Sequence, residues 1–138
     1  MPAELDALFD AAHAAFLRAY APYSRFPVGA GILAENGKIY PGCNVENAAY
    51  PAGTCAEAGA ISAMIQGGGR RIAAILVVGA GNGLCTPCGA CRQRIREFAS
   101  ADCPVHIAGP DGVRQSFTLE QLLPHSFGPE NLARDNLR

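Results

Sequence analysis

The sequence lacks the features that mark membrane, secreted and nucleic-acid-binding proteins. No apolar run approaches the roughly 20 residues of a membrane-spanning helix. The N-terminal stretch has no basic segment followed by an apolar one, so no signal peptide is predicted. Eleven basic and twelve acidic residues leave a net charge of −1, whereas a nucleic-acid-binding protein normally carries a basic face. We therefore expect a cytoplasmic protein with a small-molecule partner, no membrane association and no nucleic-acid partner.

One dense basic cluster is present, and we interpret it as a solvated helix face. It consists of Arg92, Arg94 and Arg96. Residues four apart share a face of a helix, so Arg92 and Arg96 would lie together while Arg94 points elsewhere. This split favours exposure to solvent over a track for phosphates.

The chain also lacks internal repeats and linker-like stretches, which predicts a single domain over residues 1–138. A chain of this length buries enough surface to fold without disulfides. In a reducing compartment, the six cysteines are then ligands, catalytic groups or core residues rather than disulfide partners.

Apolar periodicity in the first third of the chain predicts a helix followed by a hairpin. Helical spacing of apolar residues predicts an amphipathic helix over residues 3–20, and Pro2 suits its start. Strands are predicted at residues 27–34 and 38–45. They are joined by the Asn-Gly pair at 36–37, which accepts positive φ at both central positions of a tight hairpin.

The rest of the chain alternates between helices and strands. The predicted elements are a helix at 54–66, an apolar strand at 71–80, a helix at about 88–99, strands at 104–109 and 113–118 around a turn at 110–112, a short helix at 118–123, and a last helix that Pro129 could start. The strand-helix-strand-helix-strand order predicts a three-layer α/β/α sandwich with a mixed five-stranded sheet, whose central strands are parallel.

Three cysteines lie at the beginnings of the two middle helices. Cys55 opens the first helix, and Cys88 and Cys91 form a C-x-x-C pair at the start of the second. If the two helix N-termini converge, three thiolates can bind one metal at about 2.3 Å, aided by the positive partial charge of each N-terminus. Three protein ligands leave a fourth tetrahedral position for water, which is the pattern of a catalytic zinc.

Glu57 follows Cys55 by two residues and has two possible explanations. Positions two apart on a helix face different ways, so Glu57 would not bind the same metal but can border the pocket as a general acid/base. Alternatively, Thr54 and Glu57 fit the S/T-x-x-E capping box, which requires no chemistry. The spacing alone does not separate the two explanations.

The three cysteines and Glu57 together match a known sequence motif that neither the C-x-x-C pair nor the Cys-x-Glu pair matches alone. Cys-x-Glu upstream of Pro-Cys-x-x-Cys is the zinc deaminase signature, with cysteine in place of histidine as the first ligand.

By spacing alone, Asn44 and Glu46 lie on the same face of a strand, about 6.6 Å apart. An amide and a carboxylate at this spacing can bind neighbouring ribose hydroxyls, although the spacing alone favours a polar strand end that merges into a loop.

Other classes of protein remain open on these patterns. An iron–sulfur protein would use the C-x-x-C-x-x-C run at 85–91, but the usual fourth cysteine is absent because Ile95 occupies its place. A structural zinc site would be closed by Cys85 or Cys43. A nucleotide-binding loop at GAGNG, residues 79–83, lacks the last glycine of G-x-G-x-x-G and is interpreted as a plain loop.

Five segments resemble one family. The segments are FPVGA at 26–30, GCNVENAAY at 42–50, TCAE at 54–57, PCGACRQ at 87–93 and LLPHSFGPENL at 122–132. They closely resemble the small cytidine deaminases whose zinc ligands are all cysteines, and the resemblance runs from about residue 20 to residue 133. It implies a homotetrameric enzyme with one zinc per subunit that hydrolyses cytidine and 2'-deoxycytidine to the uridines in pyrimidine salvage. Relatives that act on other nucleoside-like substrates share the zinc motif.

The resemblance also implies a role for each site residue. The zinc ligands would be Cys55, Cys88 and Cys91, and Glu57 would move the water's proton to N3 and then to the departing amine while hydroxide attacks C4. The substrate-binding residues would be Phe26, Asn44, Glu46, Tyr50, Ala56 and Phe127. The C-terminal segment, residues 124–138, would contribute to the active site of a neighbouring subunit.

The chain departs from this family at position 58. Many relatives carry an arginine there that hydrogen-bonds to the zinc thiolates, whereas this sequence has Ala58. Three thiolates on Zn²⁺ leave a net charge of −1, which weakens the metal as a Lewis acid, and the two helix N-termini offset only part of this charge. We predict that Arg92 or Arg25 supplies the rest.

Overall fold

Five strands form one mixed sheet at the centre of the fold. The structure is a computed structural model and describes residues 3–133. The strands are β1 Val28–Ala34, β2 Ile39–Cys43, β3 Ile72–Gly79, β4 Pro104–Gly109 and β5 Gly112–Thr118. Their order across the sheet is β2-β1-β3-β4-β5. Strands β3 and β4 are parallel neighbours, and the other neighbouring pairs are antiparallel. The mixed five-stranded sheet is confirmed, with direct parallel pairing at β3 and β4.

Helices cover both faces of the sheet, which confirms the three predicted layers. They are α1 Ala3–Phe16, α2 Ala56–Gln66, α3 Gly89–Phe98 and α4 Leu119–Leu122, with 3-10 turns at Tyr50–Ala52 and Pro129–Leu132. Helix α1 packs on one face, and α2 and α3 pack on the other. No helix within residues 3–133 combines the length and the apolar character needed to cross a bilayer.

Helix α1 is shorter than predicted because the chain turns back to the sheet. It ends at Phe16 rather than at residue 20. The backbone N–H of Tyr20 donates to the carbonyl of Asn44 at 3.0 Å, and the N–H of Glu46 donates to the carbonyl of Tyr20 at 2.8 Å. This bridge beyond the end of β2 replaces the last helical turn. Pro2, predicted to suit the helix start, lies outside the described residues.

Strand β3 is buried on both faces, as its continuous apolar sequence predicts. Ile75 and Val77 pack in the core beneath α2 and α3, whereas Leu76 and Val78 pack beneath α1. Each of these four side chains has an exposed fraction of 0%. The strand therefore joins the two halves of the hydrophobic core.

The hairpin between β1 and β2 is confirmed, but the predicted turn type is wrong. The loop has three residues, Glu35 to Gly37, and the N–H of Gly37 donates to the carbonyl of Ala34 at 3.0 Å. Gly37 has a φ of 81°, whereas Asn36 is not among the residues with positive φ. This is a type I turn followed by a left-handed glycine. The Oδ1 atom of Asn36 instead accepts a hydrogen bond from the N–H of Lys38.

Helix α2 lies directly against the backbone of β2. A Cβ atom at Gly42 would meet backbone atoms of Ala56, Gly59 and Ala60, so this contact requires glycine. Gly42 pairs with Ala30 on β1, which ties the contact to the rest of the sheet. The close approach fixes the position of the first turn of α2, where Cys55 and Glu57 lie.

We expect Gly42→Ala to lower the free energy of unfolding by about 1–3 kcal/mol, because its methyl group would push against backbone rather than against a mobile side chain. Urea denaturation followed by circular dichroism measures this change. Gly83→Ala is the matched control, since an added Cβ there meets nothing within 4 Å. Equal stability of the two variants would show that the α2–β2 contact is not tight.

Candidate active site

Three cysteine sulfurs converge where α2 and α3 begin. The Sγ atoms of Cys55, Cys88 and Cys91 all lie within 4.8 Å of one another. Cys55 is the N-cap residue of α2 and Cys88 is the N-cap residue of α3, and neither side chain makes a capping hydrogen bond. Thiolates bound to a tetrahedral zinc would be about 3.8 Å apart, given zinc–sulfur bonds of about 2.3 Å. The predicted convergence is confirmed, and the donor set fits zinc.

The cluster has three candidate ligands, which argues against a closed four-cysteine site. Among residues 3–133, neither Cys43 nor Cys85 belongs to the group. Cys85 instead packs against Gly79, and burial raises the pKa of its thiol to about 11, which keeps it protonated at neutral pH. The GAGNG segment is a loop, as predicted, and two of its carbonyls accept hydrogen bonds from Arg114.

The surroundings of the three thiols shift their pKa values in different directions, whereas a bound cation would favour the deprotonated form of all three. Burial raises the pKa of the Cys55 and Cys91 thiols. In contrast, a hydrogen bond from the backbone of Cys91 lowers the pKa of the Cys88 thiol. A bound divalent cation deprotonates coordinating thiols outright, so burial of these groups favours their pairing with a metal over isolated thiolates.

Glu57 is buried beside this cluster. Its exposed fraction is 5%, and burial raises the pKa of its carboxyl. The capping-box explanation is wrong, because the N-cap residue of α2 is Cys55 rather than Thr54. A carboxyl that is buried, has a raised pKa and borders a cleft is a candidate general acid/base.

A cleft of about 600 Å³ adjoins the cluster. Its lining includes the predicted site residues Cys55, Cys88, Glu57, Asn44, Glu46, Ala56 and Tyr50. Cys91 is buried and does not line the cleft. The cleft therefore has a metal-binding group and a carboxyl at one part of its wall, with polar side chains of the 44–47 segment at another.

Asn44 and Glu46 are both held in place by backbone groups of the preceding loop. The Oδ1 atom of Asn44 accepts from the N–H of Val28, and its Nδ2 atom donates to the carbonyl of Phe26, both at 2.9 Å. The Glu46 carboxylate accepts from the Ser24 hydroxyl and from the N–H groups of Tyr23 and Ser24. The Ser24 hydroxyl contributes most to lowering the pKa of Glu46, so this residue remains an anion.

Two predicted substrate-binding aromatic residues lie outside the cleft wall of the single chain. Neither Phe26 nor Phe127 lines it, and their exposed fractions are 40% and 57%. The main chain of Phe127 is nevertheless held, because Gln93 on α3 donates to its carbonyl at 2.9 Å. The roles of both residues in substrate binding remain predictions.

The structure corrects the assignment of the compensating arginine. The Nη1 atom of Arg94 donates to the Sγ atom of Cys91 at 3.3 Å. Arg92 instead donates to the carbonyls of Pro87 and Leu122. Among the contacts within residues 3–133, Arg25 makes no hydrogen bond to any of the three sulfurs. The prediction of Arg92 or Arg25 is therefore wrong.

The interpretation of the arginine cluster as a solvated face is wrong for Arg92 and Arg96, which are partly buried, whereas Arg94 is exposed. Arg92 and Arg94 make the contacts described above, and Arg96 bonds to Ser126 and Glu130 in the C-terminal segment. A signal for Arg94 was present in the sequence, because it follows Cys91 by three residues and such pairs are neighbours on a helix surface.

Comparison with known proteins gives one consistent set of relatives. Residues 2–107 match the family described as the cytidine and deoxycytidylate deaminase zinc-binding region. The chain is 46% identical over 116 residues to a cytidine deaminase of Sporosarcina psychrophila, covering 84% of this chain and 85% of that protein. It is 39% identical over 117 residues to a cytidine deaminase of Mycobacterium tuberculosis, covering 85% of this chain and 84% of that protein.

A solved structure agrees with these sequence matches. The crystal structure of a cytidine deaminase from Burkholderia pseudomallei superimposes with a TM-score of 0.82 at 42% identity. The superposition covers 92% of this chain and 100% of that chain.

We expect Cys55→Ser to weaken zinc binding at least about tenfold, because it removes one thiolate from the three-sulfur cluster. Competition with a chromophoric chelator measures the affinity. Cys85→Ser is the matched control, since this thiol lines the cleft but lies outside the cluster. An equal loss of affinity in both variants would indicate a closed site with Cys85 as fourth ligand.

Proposed function

The chain belongs to the cytidine and deoxycytidylate deaminase family, and on this premise we propose that it is a zinc-dependent cytidine deaminase. It would hydrolyse cytidine and 2'-deoxycytidine to uridine and 2'-deoxyuridine with release of ammonia, as a step of pyrimidine salvage. The observation that carries the proposal is the convergence of three cysteine sulfurs beside a buried glutamate at one cleft. Six free thiols also suit a reducing compartment, and we propose a cytoplasmic location.

One zinc per subunit would be held by Cys55, Cys88 and Cys91. Three thiolates suit zinc, and the fourth tetrahedral position is left to water or substrate. When bound, zinc would supply water activated at about neutral pH. Cys55 and Cys88 border the cleft, so the metal-binding group is accessible to a bound pyrimidine.

Glu57 would move the protons of the reaction. Because burial raises the pKa of its carboxyl, Glu57 is better able than an exposed glutamate to take up a proton from the attacking water and pass it on. We assign it the transfer of one proton from the attacking water to N3 of the pyrimidine, and of the second water proton to the departing amino group, which leaves as ammonia. Two observations support this role: Glu57 lies at the start of α2, two residues after Cys55, and among residues 3–133 its carboxyl is not part of the three-sulfur group.

Asn44 and Glu46 retain hydrogen-bonding capacity for a ribose. An amide oxygen can accept two hydrogen bonds and an amide nitrogen can donate two, and in Asn44 each atom has one partner. The Glu46 carboxylate accepts three of about four possible hydrogen bonds. Their contacts with the preceding loop would orient both side chains before a nucleoside binds.

The charge of the cleft favours a nucleoside over a nucleotide. Within the described part of the chain, its lining contains no lysine, arginine or histidine. The lining does contain Glu46, whose lowered pKa keeps it negative. A phosphate would therefore meet an anion and no cation in this part of the site.

We assign the active protein as a homotetramer in which the C-terminal segment, residues 124–138, completes the cleft of a neighbouring subunit. The exposed rings of Tyr50 and Phe127 support this arrangement, since each would gain an apolar contact on assembly. In the described part of this segment, Ser126 and the carbonyl of Phe127 bond to Arg96 and Gln93 of the same chain's α3, and the Phe127 ring is exposed. Residues 134–138 lie outside the described residues.

We expect Glu57→Gln to retain zinc and to lose about 10²–10⁴-fold in kcat for cytidine, because the amide cannot transfer a proton. Ammonia release measures the rate, and elemental analysis measures the zinc. The wild-type protein should release ammonia from cytidine and 2'-deoxycytidine and far less from cytosine or cytidine monophosphate.

Glu120→Gln, an exposed carboxylate on α4, is the control for a change of charge. Wild-type protein that binds zinc but releases no ammonia from any of the four compounds would refute the proposed activity. Near-normal turnover by Glu57→Gln would refute the role of Glu57 alone.

The shared cleft is tested by mixing two inactive variants. Phe127→Ala should lose activity with zinc retained, and refolding it together with Glu57→Gln should restore part of the activity. Mixed assemblies would contain clefts that combine an intact Glu57 with the Phe127 of a neighbour. Ammonia release before and after mixing measures the recovery.

No recovery in mixed assemblies, verified by mass spectrometry of two size-tagged chains, would place Phe127 in its own subunit's site. A fully active monomer in sedimentation at low concentration would contradict the tetramer as the active form.

A further inference from the structure

Helices α2 and α3 carry residues in equivalent positions beside the metal-binding group. Ala58 follows Cys55 by three residues on α2, and Arg94 follows Cys91 by three residues on α3. Both residues line one groove of about 450 Å³ between the helices. The small side chain of Ala58 leaves space in this groove, and Arg94 reaches the sulfur cluster from the opposite helix.

Arg94 has few partners other than the cluster. Its guanidinium lies 3.3 Å from the Cys91 Sγ atom, measured from Nη1. Within residues 3–133, this is its only hydrogen bond, and neither of the two ion pairs involves it. The Arg94 side chain is exposed, and the thiol sulfur is the partner of its guanidinium. Neither packing nor a surface ion pair therefore explains its position.

The charge of the proposed site explains the contact. Three thiolates and one Zn²⁺ sum to −1, and electron-rich sulfurs make the metal a weaker Lewis acid. A guanidinium that donates to one sulfur withdraws electron density from it and brings the local charge to zero. Alanine at position 58 cannot make this contribution from α2.

We propose that Arg94 tunes the metal centre through Cys91, supplying from α3 the positive charge that position 58 does not supply from α2. This inference rests on the proposed function for its metal. Arg94 touches no reacting atom, so it acts on catalysis by setting the electron density that Cys91 donates to the metal.

The test uses the full-length protein with zinc or with cobalt(II) in its place. Arg94→Gln should keep one metal per chain and lower kcat for cytidine about 10–100-fold with KM nearly unchanged. In the cobalt protein, the thiolate-to-cobalt charge-transfer band should move to longer wavelength, because a sulfur without its hydrogen-bond donor gives up electrons more easily. Arg94→Lys should lie between Arg94→Gln and the wild type.

A second variant tests whether the charge can be supplied from the other helix. Ala58→Arg combined with Arg94→Gln should restore both kcat and the band position, because the groove gives position 58 access to the same cluster. Arg18→Gln is the matched control, since it removes one exposed arginine that makes no contact with the sulfurs.

The outcomes separate this inference from the proposed function. The inference would be overturned if Arg94→Gln had the same charge-transfer band and the same kcat as the wild type. It would also be overturned if kcat fell while the band stayed in place, because that result indicates a purely structural role. A shifted band in a protein whose wild-type form releases no ammonia would support the effect of Arg94 on the metal centre and refute the proposed reaction.

Discussion

The rest of the structure depends on bringing three like-charged ligands to one point. Cysteine thiolates repel one another, and two of the three thiols lie where burial raises their pKa. Positive charge from four groups offsets this cost: the two N-termini of α2 and α3, the guanidinium of Arg94, and the zinc that we propose. The site combines contributions from both helices, and neither helix alone supplies all the sulfurs.

The direction of the strands explains why the two helix N-termini meet. Strands β2 and β3 are both antiparallel to β1, so they run in the same direction. The C-terminal ends of β2 and β3 therefore lie at the same end of the sheet, and the segment after each strand leads into a helix on the same face. The close contact of α2 with Gly42 then fixes how near the start of α2, with Cys55 and Glu57, lies to the sheet. The opposite face, covered by α1, provides apolar packing and takes no part in the cleft.

Features of this fold that depend on local sequence were predictable, whereas those that depend on distant contacts were not. The apolar run of β3 and the two hairpins follow from periodicity and turn residues. The turn at Asn36 differs from the prediction: the loop takes three residues, and the Asn36 side chain accepts a hydrogen bond from the N–H of Lys38, just before β2. The early end of α1 requires the bridge from Tyr20 to the segment after β2, which no local pattern indicates.

The same distinction applies to the site. The cysteine spacing and the resemblance identified the three sulfurs that converge, because ligand spacing is a local feature. Thr54 and Glu57 matched a capping box, but the box forms at Thr118 and Gln121, and α2 begins one residue later than that motif requires. The contact of Arg94 with Cys91 is local, because the two residues are three positions apart on α3. The contact of Arg96 with Ser126 joins residues about 30 positions apart, which no local pattern indicates.

X-ray absorption at the zinc edge of the purified protein tests the central claim most directly. We predict three sulfur neighbours at about 2.3 Å and one oxygen neighbour at about 2.0–2.2 Å, the pattern of a three-thiolate site with one position left for water. Four sulfur neighbours would contradict the account, because they would close the position at which the chemistry is proposed to occur.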